Sequence, residues 1–149
     1  MGALTDLAGR DMGTQTVVIE RGPVRAFACA VTDNQPIYDA DDAPVPATYP
    51  MAWAYWGSRG GAVGGLPIGD LRGPGRMILH GEQEFVYHRW PKVGDVLEGR
   101  GRIRDVYEKE SGAAVMEFYV TETSWTDAQS GEPVVDAVFT LIVRDTNPR

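Results

Sequence analysis

The C-terminal half of the chain restricts the possible fold more than any other feature. Four long runs rich in β-branched and aromatic residues occur there, at 77–90, 95–109, 113–127 and 133–145. Short turns separate them, at Pro91–Gly94, Glu110–Gly112 and Gln129–Gly131. Connections this short join antiparallel neighbours. The sequence therefore predicts four long antiparallel strands in one sheet, with an apolar face that another element must cover.

The N-terminal half supplies a candidate for that cover. Gln15–Glu20 predicts a first strand, and Pro23–Val31 has apolar residues at helical spacing. A second helix is predicted from Thr48, as its N-cap, to Gly57, with Pro50 in the first turn. That segment is apolar almost all round, which is typical of a buried helix. Its aromatic residues are expected in the core: Trp53, Tyr55 and Trp56.

Gly57–Arg76 is rich in glycine and predicts a long loop inside one domain spanning residues 1–149. Long loops without secondary structure are often functional lids or disordered segments. This one lacks the Gly-Lys-Ser/Thr ending of a phosphate-binding loop, and it does not open a helix after a strand. We therefore expect no nucleotide site in it.

Charge and composition exclude several functions. The net charge of −7 and the scattered basic residues argue against nucleic-acid binding. Arg100, Arg102 and Arg104 have strand spacing and predict one basic face, either solvated, in a subunit contact or facing an acidic ligand such as the phosphates of coenzyme A. No apolar segment is long enough to span a bilayer, so no membrane association is predicted.

Cys29 is the single cysteine, so an internal disulfide is excluded and a reducing, cytoplasmic setting is expected. It lies in the apolar stretch AFACAV, where we expect a small buried side chain rather than a nucleophile.

The loop Thr32–Tyr38, read TDNQPIY, resembles the active-site loop of enzymes that add water across an enoyl thioester. In that loop an Asp is followed five positions later by a His. Asp33 occupies the Asp position here, Tyr38 stands where the His belongs, and Gln35 replaces the usual Asn before the Pro. The acidic run that follows is expected to be solvated: Asp39, Asp41 and Asp42.

A second segment, Leu79–Leu97, is similar to the corresponding strand pair of the N-terminal MaoC-type dehydratase domain, in its His88–Pro91 run and its Gly94-Asp95 turn. The chain thus resembles the MaoC-like hydratases and dehydratases over about residues 15–144. That family includes (3R)-hydroxyacyl-carrier-protein dehydratase subunits. The resemblance implies an α+β fold, a single hot-dog domain whose antiparallel sheet wraps around a central helix.

The resemblance also implies a chemistry. Family members interconvert trans-2-enoyl and (3R)-3-hydroxyacyl thioesters, using a carboxylate and an imidazole to hold and activate water. Backbone N–H groups before the central helix would stabilise the enolate-like oxygen, here from about Ala47 to Tyr49. Asp33 and Tyr38 form the corresponding, degenerate pair. The residues expected at the ligand are Ala47, Thr48, Tyr49, Trp53 and His80.

Tyr38 is a poor substitute for an imidazole, because a phenol has a pKa of roughly 10 and exchanges protons slowly near neutrality. The only histidines, His80 and His88, share a strand face if no bulge intervenes. They are too far apart to act as a pair, and each is expected to make a structural or interface hydrogen bond. Glu82 and Glu84 alternate in phase with His80, but ligands on one strand face rarely surround a metal, so no metal is predicted.

Three functions remain open. The first is a subunit that lacks the catalytic His, shapes the acyl tunnel and acts on a coenzyme A or carrier-protein thioester beside a catalytic hot-dog partner. The second is a homodimeric hydratase, or a thioesterase, that uses Asp33 with Tyr38 or His80. The third is a module that binds an acyl or polyketide ligand without turning it over. No cofactor is implied, and the acyl group stays open among fatty, steroid, dicarboxylic and polyketide chains.

Overall fold

A computed structural model describes residues 7–56 and 71–146. The elements follow in chain order: β1 (Asp11–Val18), α1 (Arg21–Ala30), a 3-10 helix (Pro36–Asp39), α2 (Pro50–Trp56), β2 (Arg76–Tyr87), β3 (Val96–Ser111), β4 (Ala114–Asp127) and β5 (Pro133–Asp145). The four long C-terminal strands are confirmed, and the predicted first strand and both predicted helices are present with shifted ends.

The five strands form one antiparallel sheet in the order β1-β3-β4-β5-β2. Short turns make β3, β4 and β5 sequential neighbours. The expectation that the Pro91–Gly94 turn also joins antiparallel neighbours is wrong, because β2 pairs with β5 and the chain then passes to β3 on the far side of β4 and β5. The two strands that come before them in the chain, β1 and β2, pair at opposite edges. Among the described residues β2 is hydrogen-bonded to β5 alone, so its other edge lies at the border of the sheet.

Both helices contribute to a core on one face of the sheet, which we call the covered face. There Trp53 of α2 packs edge-on against Trp125 of β4, with ring centroids 5.0 Å apart. The surrounding cluster of buried residues is Val17, Ile19, Val24, Val45, Tyr49, Leu97, Val134 and Val135. A second cluster lies farther along the same face: Leu71, Ile103, Val106, Tyr119, Leu141 and Val143. This arrangement confirms the predicted α+β hot-dog class.

Gly99 makes the first cluster possible. It lies opposite Trp125 in the β3–β4 register, and a Cβ atom at Gly99 would lie 2.7 Å from the Trp125 ring. The indole therefore lies flat over the glycine backbone, and its other side meets Trp53.

Two β-bulges change which side chains share a face. The β2–β5 register shifts between His80 and Glu82, and the β3–β4 register shifts between Ile103 and Asp105. One extra residue moves the following side chains to the other face. His80 consequently lies on the covered face and His88 on the opposite, outer face, so the condition for a shared face is not met. Glu82 and Glu84 lie on the outer face together with His88.

Cys29 is exposed, and the prediction of a buried side chain is wrong. The helix α1 buries Val24 and Ala28 four residues apart, and Cys29 follows Ala28 by 100° of rotation, on the solvent side. The apolar letters around Cys29 are therefore not all part of the buried stripe.

The motif His88–Pro91 has a structural role. Arg89 donates hydrogen bonds to Asp95 at 2.7 Å and to Asp127 at 3.2 Å, which joins the β2–β3 turn to the end of β4. Asp95 also accepts from the Lys92 amide at 3.0 Å. These contacts hold the segment between β2 and β3 against the end of β4.

Most of the predicted glycine-rich loop, residues 57–70, lies outside the described residues, as do the side chains of Tyr55 and Trp56. Within the described ranges, no helix is both long and apolar enough to cross a membrane.

Replacing Gly99 with Ala should destabilise the protein by about 1–3 kcal/mol, because the new methyl group must displace a packed indole. Urea unfolding with an unchanged m-value would measure the loss. Gly22→Ala is the matched control, because a Cβ at Gly22 meets nothing within 4 Å. Equal stability of Gly99→Ala and the control would contradict the packing described.

Candidate functional site

The candidate site begins where α1 ends. The Thr32 amide donates to the Cys29 carbonyl at 3.1 Å, and the Asp33 amide donates to the Ala28 carbonyl at 2.9 Å. These two bonds form a Schellman motif, whose left-handed position is usually glycine. Thr32 occupies it with φ of 61°. A β-branched residue there is strained, and the turn delivers Asp33 directly after it.

Asp33 and Tyr38 meet as the sequence mapping expects. The Tyr38 hydroxyl donates to Asp33 Oδ2 at 2.7 Å, and the Gln35 side-chain amide donates to Asp33 Oδ1 at 2.9 Å. Both carboxylate oxygens are therefore engaged by groups of the same loop, an arrangement that we call the Asp33 clamp. The 3-10 helix Pro36–Asp39 turns the chain so that Tyr38, five residues after Asp33, reaches the carboxylate. The Tyr38 ring also packs against the first core cluster.

The clamp moves the pKa values of Asp33 and Tyr38 away from neutral pH. The Tyr38 hydroxyl and then the Gln35 amide lower the pKa of Asp33 below its ordinary 3.8, because they stabilise the carboxylate. The same bond raises the pKa of Tyr38 above 10.0, because the phenol proton is shared with an anion. Asp33 is thus held as the anion and Tyr38 as the neutral phenol.

The acidic run after Tyr38 is braced by α1. Arg21 donates to Asp41 at 2.8 Å and to the Asp39 carbonyl at 2.6 Å, and Arg25 lies 3.2 Å from the Asp39 carboxylate. The Asp41 side chain is still 97% exposed, so the expectation of a solvated run holds for that residue. The arginines position the run, and such exposed pairs contribute little to stability.

The segment before α2 is pinned by the end of β2. The Tyr87 hydroxyl donates to the Ala47 carbonyl at 2.6 Å, and the Trp90 indole donates to the Val45 carbonyl at 2.9 Å. The two rings stack with centroids 4.4 Å apart. Burial raises the pKa of Tyr87 to about 12, so this hydroxyl stays a donor at physiological pH.

The predicted ligand residues around this segment differ in their surroundings. The Tyr49 amide donates to the Pro46 carbonyl at 2.9 Å, and the Tyr49 side chain is buried in the core. Ala47 and Thr48 are exposed at the turn. The Tyr49 amide is therefore used within the turn, whereas Ala47 and Thr48 lie at the surface.

His80 and Trp53 lie in different parts of the covered face. The His80 ring is edge-on to Phe139 at 4.7 Å, beside the second core cluster, whereas Trp53 and Tyr38 belong to the first. His88 lies on the outer face, where its Nε2 is 2.7 Å from Asp136. Neither imidazole has a described contact with Asp33.

The three arginines on the outer face pair with two glutamates of the same chain. Arg100 pairs with Glu98 at 3.2 Å, and Glu122 pairs with both Arg102 and Arg104. A polar cleft of about 400 Å³ opens beside this row, lined by Glu98, Arg100, Ser124, Thr126, Asp127, Ala128 and Gly131. Because the cleft faces away from the Asp33 clamp, it is not part of that site.

Sequence reasoning missed three contributors, namely Gln35 as a donor to Asp33 and the pair Tyr87 and Trp90. The five-residue spacing identified the partner of Asp33, but the role of Gln35 depends on a local turn. Tyr87 and Trp90 contact a segment about 40 residues earlier, and nothing in the sequence links the two regions.

The chain is similar in sequence to known proteins. Residues 6–137 match the family model described as the FAS1-like dehydratase domain region. The chain belongs to this family. A UPF0336 protein of Thermobifida fusca (strain YX) is 30% identical over 139 residues, covering 87% of this chain and 86% of that one. A UPF0336 protein of Saccharopolyspora erythraea is 27% identical, covering 89% and 85%.

Solved structures with the same fold confirm the hot-dog architecture. The C-terminally truncated HadBC (3R-hydroxyacyl-ACP dehydratase) complex of Mycobacterium tuberculosis aligns with a TM-score of 0.68 at 24% identity, covering 93% of this chain and 98% of that chain. The ChsH1–ChsH2 complex of the same organism gives 0.68 at 18%, covering 89% and 83%. A MaoC-like dehydratase from Phytophthora capsici gives 0.67 at 18%, covering 97% and 50%.

Removing the Tyr38 hydroxyl should make the free energy of unfolding depend less on pH in the acid range. Because the folded pKa of Asp33 lies below 3.8, its stabilising contribution is present above that value and is lost as pH falls through the folded pKa. Tyr38→Phe should therefore be less stable than wild type at pH 7, and this difference in unfolding free energy should shrink as pH falls below 3.8. Urea unfolding of both proteins across this pH range measures the difference. NMR titration of the Asp33 carboxyl carbon should show its pKa rising in the variant.

Tyr107→Phe serves as the control, since that ring stacks on Phe118 outside the clamp. It should show no such pH dependence. A Tyr38→Phe deficit of the same size at pH 7 and pH 3 would contradict the assigned role of the hydroxyl.

Proposed function

We propose that this chain is the half of an enoyl-thioester hydratase, or (3R)-3-hydroxyacyl-thioester dehydratase, that does not perform proton transfer. A second hot-dog subunit would supply the catalytic Asp and His. The observation that carries the proposal is the Asp33 clamp: both oxygens of the one carboxylate at the family's catalytic position accept hydrogen bonds from the same loop.

The chemistry explains why the clamp matters. Hydration places a hydroxyl on C3 of the enoyl chain and a proton on C2, so one group must take a proton from water and one must return it. Such a group works best with a pKa near the operating pH. The pKa of Asp33 is lowered and that of Tyr38 is raised, so both move away from neutrality.

The histidines offer no replacement within the described chain. His88 is bonded to Asp136 on the outer face, and His80 contacts Phe139 in the second cluster. This placement favours an imidazole from a partner over a self-sufficient site built on Asp33 and His80. A thioesterase based on Asp33 would have to use a carboxylate that already accepts one hydrogen bond on each oxygen from its own loop.

The two subunits are proposed to associate through the edge of β2 that no described strand covers. It presents a 12-residue strand, Arg76–Tyr87, at the border of the sheet, with Val86 47% and Met77 55% exposed. An unprotected edge of this length pairs readily with another strand. Two structures with the same fold, HadBC and ChsH1–ChsH2, are named as complexes of two subunits, which supports a heterodimer. The HadBC name, which describes a 3R-hydroxyacyl-ACP dehydratase, supports a 3-hydroxyacyl group on a carrier protein as substrate.

Reconstitution tests the division of labour. The purified chain alone should not hydrate crotonyl-coenzyme A, and it should restore activity when mixed with an Asp/His-bearing hot-dog subunit from the same genome. Asp33→Asn in this chain should change the reconstituted kcat by no more than about twofold, whereas the same change at the partner's Asp should abolish turnover. The readout is loss of enoyl absorbance.

Three outcomes would overturn the proposal. Efficient hydration by the lone chain would show an independent enzyme, and release of free thiol would show a thioesterase. Binding of the thioester with no hydration in any mixture would leave a ligand-binding module. Folding of Asp33→Asn is checked by its circular dichroism melt.

Substitutions at the two sheet edges test the assembly. Val86→Lys at the β2 edge should weaken association with the partner at least tenfold, because the ammonium group must lose water on pairing. Val18→Lys at the β1 edge replaces a residue of similar exposure, 43%, and should leave association unchanged. Sedimentation velocity measures both, and equal effects of the two variants would exclude the β2 edge as the interface.

A further inference from the structure

Two polar atoms in the core have no described hydrogen-bond partner. They are the indole N–H of Trp53 and the side-chain carbonyl oxygen of Gln15, both fully buried. Trp53 itself is only 1% exposed. Leaving such an atom unpaired costs about 1–3 kcal/mol, so each orphaned group in a native core calls for an explanation.

Both atoms belong to residues around Trp125. Gln15 lies opposite Gly99 in the β1–β3 register, and Gly99 lies opposite Trp125 in the β3–β4 register. The Trp125 ring covers Gly99 and so extends toward β1, while Trp53 packs on the same indole at 5.0 Å. One orphan is a donor and the other an acceptor, so a single small group could satisfy both.

The neighbouring row of the covered face consists of small residues. Gly101, Thr123 and Ala137 lie side by side on β3, β4 and β5, and all three are partly exposed. On either side of this row, Trp125 is 4% and Ile103 is 0% exposed. Met12 lies close to Gly101, where an added Cβ atom would be 3.3 Å from the Met12 Cβ atom, so the more accessible part of the row is at Thr123 and Ala137.

We propose that Trp53 and Gln15 form a polar subsite beside Trp125, next to this partly exposed row. It takes a neutral group that accepts one hydrogen bond from the indole and donates one to the Gln15 carbonyl. A hydroxyl on the acyl chain and a secondary amide of the pantetheine arm have this chemistry. The identity of the ligand as an acyl thioester rests on the proposed function.

The donor and acceptor pair sets the ligand class. A plain alkyl chain would leave both atoms unpaired, and a carboxylate would accept from the indole but could not donate to Gln15. A charged group would also meet no opposite charge among the residues named around Trp125, at a high cost in desolvation. The subsite therefore favours a hydroxylated or amide-bearing segment over a saturated one.

The indole N–H provides a direct probe. The chain has four tryptophans, so the ¹H–¹⁵N spectrum of the full-length protein shows four indole signals, and Trp53→Phe assigns one of them. The probes are (3R)-3-hydroxybutyryl-coenzyme A, butyryl-coenzyme A and coenzyme A itself. We expect the Trp53 signal to shift with the hydroxylated thioester, and its Kd to be roughly tenfold lower than that of butyryl-coenzyme A, as one net hydrogen bond provides.

The arms of the titration separate the two sources. A shift with the hydroxylated probe alone identifies the acyl hydroxyl, and an equal shift with coenzyme A identifies the pantetheine amide. Gln15→Met should abolish either response by removing the acceptor while keeping the side-chain volume. Gln83→Met is the matched control, because Gln83 already donates to the Val138 carbonyl at 2.9 Å, and it should leave the response intact.

An unchanged Trp53 signal with all three probes would mean an internal water only and would overturn the subsite. A response that survives Gln15→Met unchanged would do the same. The test needs neither turnover nor a partner, so it can fail while reconstituted hydration succeeds, and the reverse. If Trp53→Phe does not fold, Gln15→Met and the wild-type titration still decide the question.

Discussion

The edge-on contact between Trp53 and Trp125 is the interaction on which the other features depend. It places the central helix on the sheet, and it exists because Gly99 has no side chain to lift the Trp125 ring. The position of α2 in turn fixes the segment Val45–Ala47, which Tyr87 and Trp90 hold from the other side. Thus a single aromatic contact in the core helps to align the turn before α2 with the end of β2.

The Asp33 clamp keeps the loop geometry that the family resemblance implies. The Schellman turn at the end of α1 and the 3-10 helix that begins at Pro36 bring position 38 to the carboxylate. With a phenol at that position, the contact is a hydrogen bond between an anion and a neutral donor. The chain therefore keeps the contact between positions 33 and 38 with a tyrosine in place of the histidine.

Local patterns in the sequence predicted much of this structure. Alternation and short turns identified all four C-terminal strands, and the apolar segment after Thr48 identified α2. The resemblance of TDNQPIY to the family's active-site loop predicted that Asp33 and Tyr38 form a pair, and their side chains are hydrogen-bonded. The bulges beside Gly81 and at Arg104 could not be predicted, because a single extra residue leaves the alternation of a long strand almost unchanged while reversing its faces.

The sequence by itself determined the helices and strands and the antiparallel pairing of β3, β4 and β5, because these follow from periodicity and short turns. The resemblance to the family's loop identified Tyr38 as the partner of Asp33. Only the tertiary structure decided that β2 pairs with β5, that His80 and His88 face opposite sides, that Glu122 pairs with two arginines, and that two unpaired polar atoms lie near Trp125. Each of these depends on strand register and on contacts between distant segments. Register is a property of the paired strands together, and neither strand encodes it alone.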